Sequence, residues 1–145
     1  MDNTPVTATG AAWTETLQYS QTVRTGDLVF SAGQGGFDAT GELVAGGFDA
    51  QLRQTFANLD DVLRRQGAGL DTIVKLTVYL TDAADYDVFK RLRPDLLTAP
   101  FPASTAVVVK QLLADGMCVE IDAVAVVGRG RRALTPTGVP EGDLG

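Results

Sequence analysis

The chain has 145 residues, 45% apolar and 21% charged, the length of one domain that buries roughly 70% of its unfolded surface. This composition excludes a disordered chain, and no apolar run approaches the ~20 residues a membrane span needs. Twelve Lys and Arg against eighteen Asp and Glu give a net charge of −6, which opposes the phosphate neutralisation that nucleic-acid binding depends on and argues against such a partner.

Residues 1–13 are small and polar, with neither a basic start nor a leader-like apolar segment; they read as an N-terminal arm, and the expected compartment is the cytoplasm. Leu28–Ala32 reads as a short strand ending at Gly33, followed by a glycine-rich loop whose spacing fits hairpin turns better than phosphate binding. Asp49 can cap a helix in which Leu52, Phe56, Leu59 and Leu63 follow the helical period, with a stop at Gly67 or Gly69.

Ile73–Leu80 predicts a strand with Val74, Leu76, Val78 and Leu80 on one face and Ile73, Lys75, Thr77 and Tyr79 on the other. A second helix follows over Asp85–Arg93, with Val88, Phe89 and Leu92 inward and Pro94 ending or kinking it. Two more strands are predicted near 103–110 and 117–127. The last alternates Val119, Ile121, Ala123 and Ala125 against Cys118, Glu120, Asp122, Val124 and Val126. Residues 129–145, with Arg129, Arg131 and Arg132 among prolines and glycines, read as a flexible C-terminal tail beyond a domain at 14–128.

The order β-β-α-β-α-β-β, with too few helices to cover two faces, implies an α+β layer of one sheet with two helices on one side. The other face, with Lys75, Thr77, Tyr79, Cys118, Glu120 and Asp122, is too apolar in places for open water and too polar for a monomer core. A subunit interface fits it.

The chain has no histidine and one cysteine, which removes Ser-His-Asp and Cys-His machinery, most zinc sites and any disulfide framework. Chemistry is left to carboxylates, hydroxyls, Lys, Arg, one thiol and the backbone. Without a histidine to activate it, Cys118 reads as a packing residue. Asp122 is a poor strand former in mid-strand, with Glu120 two residues away on the same face. The pair reads either as a functional site or as two carboxylates on a solvated sheet surface.

Tyr19-Ser20-Gln21, Ser31-Ala32-Gly33-Gln34, Gln54-Thr55 through Asn58-Leu59, Lys75–Asp82, Phe101-Pro102-Ala103 and Val119–Ala125 occur in the order and spacing of the RidA (YjgF) family of enamine/imine deaminases, which the chain resembles over residues 17–128. The resemblance implies a chorismate-mutase-like α+β fold and a homotrimer with small-molecule clefts between subunits. It also implies hydrolysis of an imine or enamine to a carbonyl compound and ammonia, with no metal or cofactor.

By the same resemblance Glu120 is the catalytic residue that positions water, and Tyr19, Ala32 and Gly33 line the substrate site. Where the family reads Pro-Ala-Arg-Ser, this chain reads Pro102-Ala103-Ser104-Thr105, so Ser104 takes the place of the arginine that clamps a substrate carboxylate, with Thr105 beside it. The asparagine often found in the second helix corresponds to Lys90. Two readings follow: an enzyme acting on a larger or less anionic imine, or a silent ligand-binding trimer. The ribonuclease activity attached to the family's name is disfavoured by the acidic charge and the missing histidine.

Overall fold

The computed structural model describes residues 3–6, 12–14 and 16–128. The arginines expected in the C-terminal tail lie outside the described residues. One mixed sheet carries six strands: β1 (Asn3–Val6), β2 (Thr22–Thr25), β3 (Leu28–Ser31), β4 (Ile73–Leu80), β5 (Ala103–Val108) and β6 (Val119–Val126). Their spatial order is β1-β2-β3-β6-β4-β5, so β6, the last of the described strands, lies in the middle. Only β4 and β5 are parallel, joined through helix α2 (Asp85–Leu96). Helix α1 (Gly47–Arg64) connects the β2–β3 hairpin side to β4. The α+β layer expected from the element order is the architecture found, with the N-terminal arm adding the edge strand β1.

Both helices pack on one face of the sheet. Leu52, Phe56, Leu59 and Leu63 of α1 are buried as their period predicts, against Val29 of β3 and Val119, Ile121, Ala123 and Ala125 of β6. Phe56 stacks on Phe89 of α2 with ring centroids 6.4 Å apart, and aromatic burial of this kind dominates core energetics.

Three local expectations change. Helix α1 begins at Gly47, two residues before Asp49, and its N-cap is a left-handed Gly46 with φ 114°, a conformation glycine adopts without a steric penalty. Asp49 instead sits in the first turn, where its carboxylate accepts from Arg53 Nε at 2.7 Å. The expected stop at Gly67 holds: after Arg64 the chain turns at Gly67 (φ 81°), whose N–H donates to the Arg64 carbonyl while Ala68 N–H donates to that of Leu63, the Schellman pattern. Helix α2 runs past Pro94 to Leu96; the ring withholds a donor from the carbonyl of Lys90, an exposed residue, where the loss costs less than in a buried turn. In β4, Ile73 pairs with Ala125 and Lys75 with Val124, leaving Val74 as an extra residue. This bulge reverses the alternation: Ile73 is fully buried and Val74 is not.

The opposite sheet face is open. It carries Lys75, Thr77, Tyr79, Glu120 and Asp122, with apolar Val23, Leu28, Phe30 and Val107 exposed among them. Every residue of the edge strand β5 is exposed.

Candidate functional site

The site is assembled where β3 gives way to the glycine-rich loop. Gln34 N–H donates to the Ile121 carbonyl at 2.8 Å and Ile121 N–H returns the bond at 3.0 Å, which extends the β3–β6 pairing past Gly33. Its buried side chain donates from Nε2 to Gln21 Oε1 at 2.9 Å, and Ala32 N–H donates to the Gln21 carbonyl at 2.8 Å. These bonds tie the Tyr19-Ser20-Gln21 segment to the strand end. Glu120 therefore lies flat against Gly33: a Cβ added there would stand 2.7 Å from Glu120 Cδ.

Helix α1 holds the loop from below. Asn58 Nδ2 donates to the carbonyls of Gly35 and Phe37, each at 2.8 Å, and its Oδ1 accepts from Gln54 Nε2 at 2.9 Å, so the amide is oriented as well as used. Gly36 rests on the helix backbone, where a Cβ would stand 2.8 Å from Gln51 Cα. Gln51 in turn donates to the Gly116 carbonyl at 2.9 Å and accepts from Cys118 N–H at 3.0 Å, fixing the base of the loop that precedes β6.

Between these parts is a cleft of about 520 Å³ lined by Tyr19, Gln21, Gly33, Gln34, Gln54, Asn58, Met117 and Glu120, with Trp13, Phe37, Asp38, Asp61, Arg65 and Leu113 further out. Cavities of this size suit small organic ligands.

Burial pushes the Glu120 carboxyl above its ordinary range, and the charge of Asp122 adds to the effect. Asp122 accepts from the Tyr79 hydroxyl at 3.0 Å; that bond, with burial, raises the phenol. Asp38 behaves oppositely. The Thr40 hydroxyl, then the N–H groups of Glu42 and Thr40, hold it below the carboxylate range, so it stays ionised. Burial, then Asp85, pushes the Cys118 thiol up, which disfavours a thiolate and agrees with a packing residue. Among the described residues, no group of three His, Cys, Asp or Glu side chains is arranged to hold a metal ion.

Of the residues the sequence singles out, Tyr19, Gly33 and Glu120 line one cleft, with Ala32 next to Gly33 in the chain. Within the single chain, Ser104 and Thr105 do not line it. Ser104 pairs with buried Leu76 and so shares the helix-side face, while Thr105 pairs with Thr77 on the open face, its hydroxyl accepting from Lys75 Nζ at 2.6 Å. Lys90 is also distant, over the Tyr86 ring at 5.5 Å. Sequence reasoning gave no individual role to Gln54, Asn58, Asp38 or Arg65. The available signal was the polar stripe Gln51, Gln54, Asn58 along α1, spaced three and four residues apart beside the apolar stripe.

A family model described as Endoribonuclease L-PSP matches residues 9–127. The RutC family protein y4sK of Sinorhizobium fredii is 39% identical over 107 residues, 73% of this chain and 84% of that protein. The crystal structure of RidA from an Antarctic Psychrobacter superposes with a TM-score of 0.77 at 36% identity, covering 86% of this chain and 99% of the other. A Yersinia pestis protein described as of unknown function in the conserved Rid family superposes with a TM-score of 0.78 at 29% identity, covering 87% and 100%.

Proposed function

From the chain's membership of the RidA (YjgF) family, we propose that it hydrolyses an imine or enamine in the cleft beside Gly33, with Glu120 as the proton-transfer group and with the open sheet face packed in a homotrimer. The observation that carries this reading is the half-buried Glu120, raised in pKa and seated against Gly33 in a cavity of ligand size. A carboxyl tuned upward is a stronger base when ionised and can return the proton it takes.

Attack on the imine carbon forms a C–O bond from water while Glu120 takes the water's proton and the C=N pair moves to nitrogen. Glu120 returns that proton to nitrogen to give the carbinolamine, then takes the hydroxyl proton and passes it to the amine as the C–N bond breaks, so that ammonia leaves and the oxygen closes to the carbonyl. The sum is R₂C=NH + H₂O → R₂C=O + NH₃, with no redox change. Ser104, in the position of the family's clamping arginine, lies outside this chain's own cleft; presented by a neighbouring subunit of the proposed trimer, it favours a substrate other than a small 2-imino acid. The same substitution favours the second reading, a cleft that binds its ligand without turnover.

RNA is not the substrate in this proposal: the chain carries a charge of −6, and among the described residues three carboxylates line the cleft beside one guanidinium. The deciding experiment generates a panel of imines in situ and follows both ammonia and carbonyl product, with Glu120→Gln as control. Wild-type acceleration lost in Glu120→Gln supports the hydrolase; no acceleration on any imine leaves the silent binder.

A further inference from the structure

The two ends of the cleft differ in chemistry. Beside Glu120 and Gly33 the wall turns apolar at once: a Cβ on Gly35 would collide with Met117 Cε and stand 3.0 Å from Phe37 Cε2. Trp13 leans over Phe37 with ring centroids 5.6 Å apart, and Gly41 supports the indole, since a Cβ there would stand 3.0 Å from Trp13 Cγ. Trp13 remains 37% exposed and Tyr19 54% exposed, so aromatic surface is left for a ligand to cover.

The charged lining offers an anion little. Among the described residues, the carboxylates of Asp38, Asp61 and Glu120 line the cleft with one guanidinium, that of Arg65, and Arg65 Nε already donates to Asp61 Oδ2 at 3.3 Å. A carboxylate entering this cleft would meet like charges and would have to compete for an occupied partner.

Resting on the proposed cleft, we infer that its ligand carries an aryl group against Trp13, Phe37 and Met117 and an uncharged C=N or C=O head at Glu120, with no carboxylate. Shape and charge are both specified: a flat ring next to a neutral polar head.

Three probes separate these features without any need for turnover. 2-Phenylacetamide has the ring and a neutral planar head, phenylacetate has the same shape with a charge, and acetamide has the head without the ring. Trp13 is the only tryptophan in the chain, so its fluorescence reports occupancy directly, with calorimetry as a second readout. Phenylacetamide is expected to bind at least tenfold tighter than either comparison probe, and Phe37→Ala to erase most of that advantage over acetamide.

Phenylacetate binding as tightly as phenylacetamide would overturn the charge argument. Acetamide binding as tightly would overturn the aromatic one, and no binding by any probe would overturn both. The imine panel is a separate measurement: a cleft that prefers phenylacetamide yet hydrolyses nothing sinks the hydrolase and leaves this inference standing, whereas rapid turnover of 2-iminopropionate with phenylacetamide excluded does the reverse.

Discussion

Glu120 Cδ and the Cα of Gly33 are close enough that a single added methyl group would stand 2.7 Å from the carboxyl carbon. The backbone at Gly33 is not in the left-handed region, so alanine can adopt its conformation. What must move is the far end of the Glu120 side chain. Gly33→Ala is expected to fold with its melting temperature nearly unchanged while displacing the carboxyl, and misplacement by about 1 Å can cost about 100-fold in rate. Equal turnover of Gly33→Ala and wild type on a verified imine would separate Glu120 from the chemistry.

The raised pKa of Glu120 has two pH signatures. If its carboxylate is the base, turnover should fall on acidification at a pH above the ordinary glutamate range. For stability, the folded chain holds the Glu120 proton more tightly than the unfolded chain, whose value is near 4.5. Between that value and the raised folded one, the native state binds more protons, so this group's contribution declines as pH rises through the window. Glu120→Gln removes the decline. Its melting temperature should equal or exceed that of wild type above the window, and the difference should vanish below it; thermal scans across pH check this.

Asn58 is expected to matter through the loop it holds. Asn58→Ala leaves the carbonyls of Gly35 and Phe37 without their donor, at a cost of about 1–3 kcal/mol in urea unfolding. Asn58→Asp keeps the shape but sets a carboxylate against two carbonyl oxygens and should cost more. Equal stability of all three proteins would show that the loop does not depend on this amide.

The open sheet face gives an assembly prediction. Val23 and Phe30 are cross-strand partners, exposed at 40% and 44%, in the middle of the face assigned to subunit contact. Light scattering should return three times 15.3 kDa, and Phe30→Asp should shift the protein toward monomer, because a buried unpaired charge is strongly unfavourable. A wild-type monomer at micromolar concentration would remove the interface.

The α1 period and the β6 alternation were readable in the sequence because each reports one face packed on one core. On β4 the same holds from Lys75 to Leu80, and only Ile73 and Val74 exchange faces. That exchange comes from the bulge at Val74, set by pairing with β6 about fifty residues away, where a one-residue shift inverts the assignments on its N-terminal side. The site divides the same way. Tyr19, Gly33 and Glu120 could be singled out by resemblance, whereas Asp38, Asn58 and Arg65 reach the cleft only through the path of the glycine loop across α1. That path rests on bonds from side chains to distant carbonyls, which no local pattern encodes.

The position of β6 between β3 and β4 also bears on how the protein is made. Until residues 119–126 leave the ribosome, the β2–β3 hairpin and the β4-α2-β5 unit have no strand to join them, and each presents an unpaired edge. Closure of the sheet is therefore a late event in synthesis, delayed further by the long sequence separation of its central pairings. During that interval the nascent chain exposes Val29 and Leu76 together with two sticky borders, which is the window in which chaperone engagement or misassembly with a second nascent copy would occur.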